Sequence, residues 1–276
     1  CSDRMMTECV KENETGARKC DHVFKLSEYI RGRIINSSVH CSVIFSGESG
    51  SGKTENSKLF LKPLLKHRDN SLEQKIFHGN FVLECLGNAK TSKNNNSSRF
   101  VKLLKLFFDK SSNLESAHVD SLLLEKTRVN FQSADEQNFH ILYHVFDDQS
   151  LANHQFKWLN VPKRKEGEKE TRTTKNQSFG LNDFMNSLNF LGFDQLFIYQ
   201  VIGCLRGIVL LGEIEFTEQN DLAIIDSESS EYLTKTSECF GIEEIELKEL
   251  FLVRKLKQPR SDEISINRSK REAIDF

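Results

Sequence analysis

The sequence has no excess of charge of one sign, no closely spaced cysteines, no membrane-length apolar run and almost no tryptophan. With 38 basic residues against 40 acidic ones its formal net charge is −2, so the balance gives no support for nucleic acid or an anionic membrane as the main partner. The seven cysteines (Cys1, Cys9, Cys20, Cys41, Cys85, Cys204 and Cys239) are odd in number, scattered, and include no C-x-x-C pair. That pattern reads as reduced thiols in a cytosolic protein, not as a disulfide framework or a zinc site. No signal peptide is visible, and the longest apolar stretch, residues 196–211, is broken by Gln200 and Arg206. It is too short to cross a bilayer, so a soluble intracellular protein without membrane insertion is expected. One Trp and 4 Tyr stand against 21 Phe, which suits a packed interior, and 276 residues allow one large or two modest domains. The chain opens on Cys1 and stops at Phe276 with no obvious closing element, so a fragment is expected.

What is present is concentrated in SGESGSGKTENS, residues 46–57, which contains the full G-x-x-x-x-G-K-[ST] pattern from Gly47 to Thr54. Successive backbone N–H groups must close around a polyphosphate, and this needs glycine at crowded or left-handed positions: Gly47, Gly50 and Gly52. Lys53 supplies a point charge for the β- and γ-phosphates, and the Thr54 hydroxyl supplies a magnesium ligand. The pattern works only where a strand ends and a helix begins. Before it runs His40-Cys41-Ser42-Val43-Ile44-Phe45, an apolar β-branched run that reads as a buried strand. After it, residues 54–66 carry helical spacing, with Pro63 predicting a kink or an end. The helix N-terminus adds partial positive charge to the phosphate site.

Elsewhere, residues 1–20 read as a polar lead-in. Helices are expected over 23–35, over 72–86 with Gly87 closing it, as an amphipathic helix over 135–146, as two core helices within 181–211, and as two more within 221–256 with a link near Gly241. Residues 90–100 and 162–178 read as polar loops. Strands over 100–109 and 118–129 read as a hairpin. His140 and His144 are four apart, but no Glu follows the first and no third ligand is evident, so they read as core and surface histidines. The basic run 163–169 reads as a solvated loop.

The second segment rich in chemistry is Asn94-Asn95-Asn96-Ser97-Ser98-Arg99. A hydroxyl for magnesium, amides for phosphate oxygens and a guanidinium able to latch onto another segment are the groups a γ-phosphate sensor needs. An ordinary polar turn uses the same residue types.

Three blocks in order, GESGSGKTE (47–55), GNAKTSKNNNSSRF (87–100) and LLLEKTRV (122–129), resemble the myosin motor domains, with weaker support from NFHILY (138–143) and LLGEIEF (210–216). The resemblance runs from about residue 21 to the end. It implies an α/β fold: a P-loop NTPase-type mixed sheet flanked by helices, with a mostly helical upper subdomain over about 135–276, as part of an incomplete motor domain. It implies an ATP-binding part of an actin-based cytoskeletal motor, with ATP and Mg2+ as cofactors and the actin filament as partner. The place is the cytoplasmic actin cytoskeleton, and light chains or calmodulin would bind only through regions absent here. By position, Gly47, Glu48, Ser49, Gly50, Ser51, Gly52 and Lys53 would cradle the phosphates with Asn94, Asn96 and Ser97. Thr54 and Ser98 would ligate magnesium. Ser97 would orient the attacking water or relay its proton, and Arg99 would close the site by pairing with a Glu of switch II. Kinesins share this logic, but Phe100 and Val101 follow Arg99 where they have Ser-His. Ser51, where most myosins carry Ala, resembles class III.

The sequence departs from the pattern in several places. It has no D-I-x-G-F-E switch II and no N-P-x purine-binding segment ahead of the P-loop. Val101 stands where the family has Gly, adding a stiff side chain expected to slow switch motion. Phe81 replaces a Pro, Asp135-Glu136-Gln137 replaces Gly-Glu-Arg, and residues 254–267 align with a surface loop used against actin. Two other readings follow: a non-hydrolysing nucleotide-binding or actin-binding pseudomotor or scaffold, favoured by the missing switch II, and a small P-loop kinase, whose Arg-rich lid is not apparent.

Overall fold

The computed structural model describes residues 22–37, 40–65, 70–109, 111, 113–146, 156–159, 180–256 and 264–276. The lead-in at 1–20 and the loop at 162–178 lie outside them. The chain divides into two compact units, residues 1–126 and 127–276.

In the first unit three helices precede a hairpin: α1 (Val23–Ser37), α2 (Lys53–Leu65) and α3 (Asn70–Gly87). Phe60, Leu61, Leu64 and Leu65 recur at helical spacing on α2 and meet Ile76 of α3 in one buried cluster. Pro63 sits in the last turn of α2, two residues before its end, as its missing N–H and fixed φ lead one to expect. The hairpin is β3 (Val101–Phe108) against β4 (Leu114–Leu122), antiparallel, following a two-residue ladder of β1 (Asn88–Ala89) and β2 (Ser97–Ser98). Alternation decides what β3 buries. Leu104, Leu106 and Phe108 turn to the α2 cluster, while Val101, Leu103 and Phe107 on the other face are about half exposed.

Residues 40–45 correct one expectation. They are extended but pair with no strand among the described residues, which contain only two-stranded antiparallel ladders. Val43 and Phe45 pack on the α2 cluster, whereas Ile44 is 87% exposed. The run is therefore covered on one side only, and the mixed sheet expected around it is not found there. The second hairpin strand also ends earlier than expected. Leu123 adopts a positive φ of 53°, uncommon for a residue with a Cβ, and residues Lys126–Val129 form a 3-10 turn. The loop expected over 90–100 is interrupted by β2.

The second unit has α4 (Leu181–Leu191), α5 (Gln195–Leu211), the hairpin β5 (Phe216–Gln219) with β6 (Leu222–Ile225), α6 (Ser230–Phe240), α7 (Glu244–Leu252), the hairpin β7 (Val253–Leu256) with β8 (Ile264–Asn267), and the short α8 (Lys270–Ile274). Asp194 caps α5 by accepting the Phe197 N–H at 2.7 Å. Ile214, Leu233, Leu247 and Phe251 form one core of this unit. The amphipathic helix expected over 135–146 is absent, with only a 3-10 turn at His140–Tyr143. The helices expected within 221–256 give way to hairpin strands near both ends, at 222–225 and 253–256, the latter pairing with 264–267.

Candidate functional site

Residues 46–54 leave the extended run, turn through Glu48–Ser51, where the Ser51 N–H reaches the Glu48 carbonyl at 3.2 Å, and enter α2. Gly50 and Gly52 have φ of +83° and +84°, a region that glycine adopts without steric cost. Gly47 is crowded: a Cβ there would stand 2.7 Å from the Ser51 Oγ. The Gly52 carbonyl accepts the Asn56 N–H at 2.8 Å and starts the helix. The Lys53 ammonium folds back over the loop and donates to the carbonyls of Gly47 (2.6 Å) and Glu48 (2.7 Å). Its charge is thereby held inside the curve of the loop.

The second segment is built by its own polar side chains. Thr91 and Asn94 exchange backbone bonds at 2.9 and 3.3 Å, and the Thr91 hydroxyl donates to the Asn94 carbonyl at 3.1 Å. The Asn94 Oδ1 accepts the Asn96 N–H at 3.0 Å, and the Asn88 amide, 1% exposed, donates to the Asn96 Oδ1 at 3.0 Å. This is an Asx-type turn locked from below. It delivers Ser97 into β2 with its side chain 5% exposed, while Ser98 is exposed as strand alternation requires. The Arg99 N–H bonds the Gly87 carbonyl at 2.8 Å.

The two segments meet. The Ser49 Oγ and Ser97 Oγ lie 3.2 Å apart across 48 residues of sequence, and a Cβ on Gly50 would lie 3.8 Å from the Lys93 carbonyl oxygen. The Arg99 Nη1 donates to the Ser97 Oγ at 3.4 Å and its Nε to the Glu125 carboxylate at 2.6 Å. Ser49, Ser97 and Arg99 are thus linked in one chain of contacts, and Lys53 is tied to the same loop as Ser49 through the Gly47 and Glu48 carbonyls. Asn88, Thr91 and Glu125 were not singled out from the sequence. A T-x-x-N turn signature marks Thr91, and both it and Asn88 lie within the GNAKT block, as Glu125 lies within LLLEKTRV.

The donor set fits a phosphate chain with a hard cation. Positive-φ glycines expose backbone N–H groups, an ammonium lies against them, and hydroxyls from Thr54 and Ser98 are the ligand type for Mg2+, which keeps waters and phosphate oxygens as its other ligands. No cluster of His, Cys, Asp or Glu able to hold a metal occurs among the described residues, His140 and His144 included. No helix there is long and apolar enough to cross a membrane, and Cys204 and Cys239 are free thiols.

Comparison with known proteins shows the family. The chain is 35% identical over 224 residues to Myosin-1 of Saccharomyces cerevisiae, covering 71% of this chain and 11% of the relative. It is 31% identical over 252 residues to Myosin IF heavy chain of Dictyostelium discoideum, covering 85% and 23%, and 34% identical over 207 residues to Myosin-IIIb of Mus musculus, covering 71% and 16%. The chain therefore spans under a quarter of the length of these relatives, and myosins of different classes match it at similar identity. The model of the family described as Myosin head (motor domain) matches residues 7–275, and the chain belongs to that family.

Proposed function

We propose that residues 47–54 and 94–99 form the MgATP site of an actin-based motor, and that the chain is the ATP-binding part of that motor. The contact that carries this reading is the approach of Ser49 and Ser97, 3.2 Å between hydroxyl oxygens, which brings the phosphate cradle and the second loop to one point. The P-loop NTPase-type sheet, the actin filament as partner and the cytoplasmic actin cytoskeleton as location belong to the same proposal.

In this mechanism Gly47, Glu48, Gly50, Ser51 and Gly52 present backbone N–H groups to the phosphates, and Lys53 neutralises β- and γ-oxygens. Thr54 and Ser98 would hold Mg2+, which would supply positive charge against the negative charge developing on the γ-phosphoryl group. Asn94 and Asn96 shape the second wall. Ser97 directs its hydroxyl at the attacking water, and Arg99 holds Ser97 in place. Charge stabilisation by groups fixed in advance supplies most of the rate, because there is no covalent step for the protein to perform. A second reading is a nucleotide-binding or actin-binding scaffold that does not hydrolyse.

The test is the affinity of a fluorescent ATP analogue with and without Mg2+. Lys53→Ala should weaken binding about 30- to 100-fold, the scale of a lost charge-assisted hydrogen bond of about 2–3 kcal/mol. Ser98→Ala should reduce the dependence on Mg2+. Equal binding by all three proteins removes the site, and binding without turnover favours the scaffold.

A further inference from the structure

Arg99 is the residue that the family resemblance assigns to a switch II carboxylate, and in this chain its guanidinium is already held. The Arg99 Nε donates to the Glu125 Oε2 at 2.6 Å, and the Glu125 N–H bonds the Arg99 carbonyl at 3.0 Å. Two bonds, one through the side chains and one through the backbone, therefore tie the same pair across 26 residues. Glu125 reaches this position because the chain turns sharply at Leu123, whose φ is +53°. That conformation costs a leucine about 1–2 kcal/mol and is retained where the surroundings demand it.

From these contacts we infer that Glu125 is a positioning residue for the nucleotide site, acting through Arg99 on Ser97. The inference rests on residues 47–54 and 94–99 holding MgATP. A carboxylate on one edge of a guanidinium fixes its plane, and here the other edge then points Nη1 at the Ser97 Oγ, 3.4 Å away. That oxygen accepts from Arg99 and lies 3.2 Å from the Ser49 Oγ, so Arg99 holds the Ser97 hydroxyl within hydrogen-bond reach of the P-loop. Linked hydrogen bonds polarise one another, so the carboxylate strengthens the donor two bonds away. Glu125 thus fixes where the Ser97 hydroxyl sits, beside the P-loop and whatever phosphate it holds. An ion pair whose side chains are 28% and 32% exposed adds little to stability, about 0–1 kcal/mol. Its effect belongs to ligand binding instead.

Binding of the Mg2+-ATP analogue by the 276-residue chain, read beside its thermal melt, tests this. Glu125→Ala is expected to weaken binding about tenfold with little change in melting. Arg99→Ala should do the same, and the double variant should be no weaker than either single one, since both remove one linkage. Glu125→Gln, which keeps the shape and one acceptor oxygen, should fall between wild type and Glu125→Ala, and it serves as the readout if Glu125→Ala unfolds. Wild-type affinity in Glu125→Gln and Glu125→Ala, or simple additivity in the double variant, overturns the role of Glu125 while leaving the nucleotide site intact. No binding by the unsubstituted chain, equalled by Lys53→Ala, removes the site and the inference together.

Discussion

Arg128 is 3% exposed, and its charge is satisfied by chain just beyond it in sequence: Nη1 donates to the Gln137 carbonyl at 2.9 Å and Nη2 to the Glu136 carboxylate at 2.8 Å. The buried Asn138 continues the cluster, donating its amide to the Val129 carbonyl at 3.2 Å and its backbone N–H to the Tyr143 hydroxyl at 2.9 Å. Burial pushes the Tyr143 phenol up to about 12, so it stays neutral and able to accept. Removing one partner of such a pair leaves the other charge stranded. Arg128→Ala should therefore destabilise the unit spanning 127–276 by about 3–5 kcal/mol, read as a fall in the denaturant midpoint. Arg128→Lys should rescue little, because an ammonium cannot take up both acceptors in the fork geometry. An Arg128→Ala midpoint within error of wild type would show that the cluster adds nothing. At the candidate site the legible residues were those whose chemistry is carried by the backbone or by a fixed motif, such as Gly50, Lys53 and Ser97. Glu125 was not legible, because nothing local marks a carboxylate that finds its partner 26 residues away.

Among the elements, α2, α3 and β3 share a charge cluster at their junction. The Lys58 ammonium lies 3.0 Å from the Glu84 carboxylate and 3.3 Å from that of Glu55. Burial pulls Lys58 down, but the hydrogen bond and charge of Glu84, joined by Glu55, outweigh it and leave the group above the ordinary lysine value of 10.5. Lys102, on the core-facing side of β3, goes the other way: burial lowers it, Glu84 offsets part of this, and Lys58 adds repulsion. The signs follow from proton counts. Between the depressed folded pKa of Lys102 and 10.5 the unfolded chain binds more protons, so Lys102 makes stability rise with pH there. Below that window its buried charge costs stability. Lys58 contributes stability below 10.5 that is lost as pH rises through its raised folded value. Lys102→Met should therefore be more stable than wild type at pH 7, by on the order of 1 kcal/mol, and the advantage should shrink toward pH 10.5. Urea midpoints at several pH values would read it, and an advantage independent of pH would refute the assignment. The same scale shows what periodicity could not reveal. Residues 135–146 have helical spacing, but Arg128, Asn138 and Tyr143 satisfy backbone groups from outside the helix ladder, and a 3-10 turn forms instead. Residues 222–225 read as helix although Asn220 and Asp221, at φ of +52° and +63°, are the two central residues of a tight hairpin turn. That Asn-Asp pair before a β-branched run was the available signal. Long helices with clear caps, such as α3 ending at Gly87 and α5 starting after Asp194, were legible because their determinants are local.

For the whole molecule, each of the two units carries a core of its own, built around α2 in the first and around α6 and α7 in the second. In both, apolar side chains remain exposed, and in the first they gather on the hairpin. One face of its hairpin buries Leu104, Leu106 and Phe108, but the other presents Val101, Leu103, Phe107 and Leu122, each about half exposed, and Ile44 of the unpaired extended run is 87% exposed. At the middle of that outer face Lys105, His118 and Asp120 form an exposed ion-pair group, with hydrogen bonds from Lys105 and His118 holding the Asp120 carboxyl below its usual range. Charges placed so resist edge association but do not replace buried area. With two separate cores, unfolding should proceed in more than one step. In scanning calorimetry the calorimetric enthalpy should exceed the van't Hoff value and fall below the ~0.7 kcal/mol per residue near 60 °C of a fully packed domain. Hydrogen exchange should show β3 and β4 opening at lower free energy than α5 and α6. A single sharp transition with matching enthalpies, and equal protection in the hairpin and in α5, would mean that the two cores unfold as one and that the exposed apolar residues of the hairpin carry no penalty.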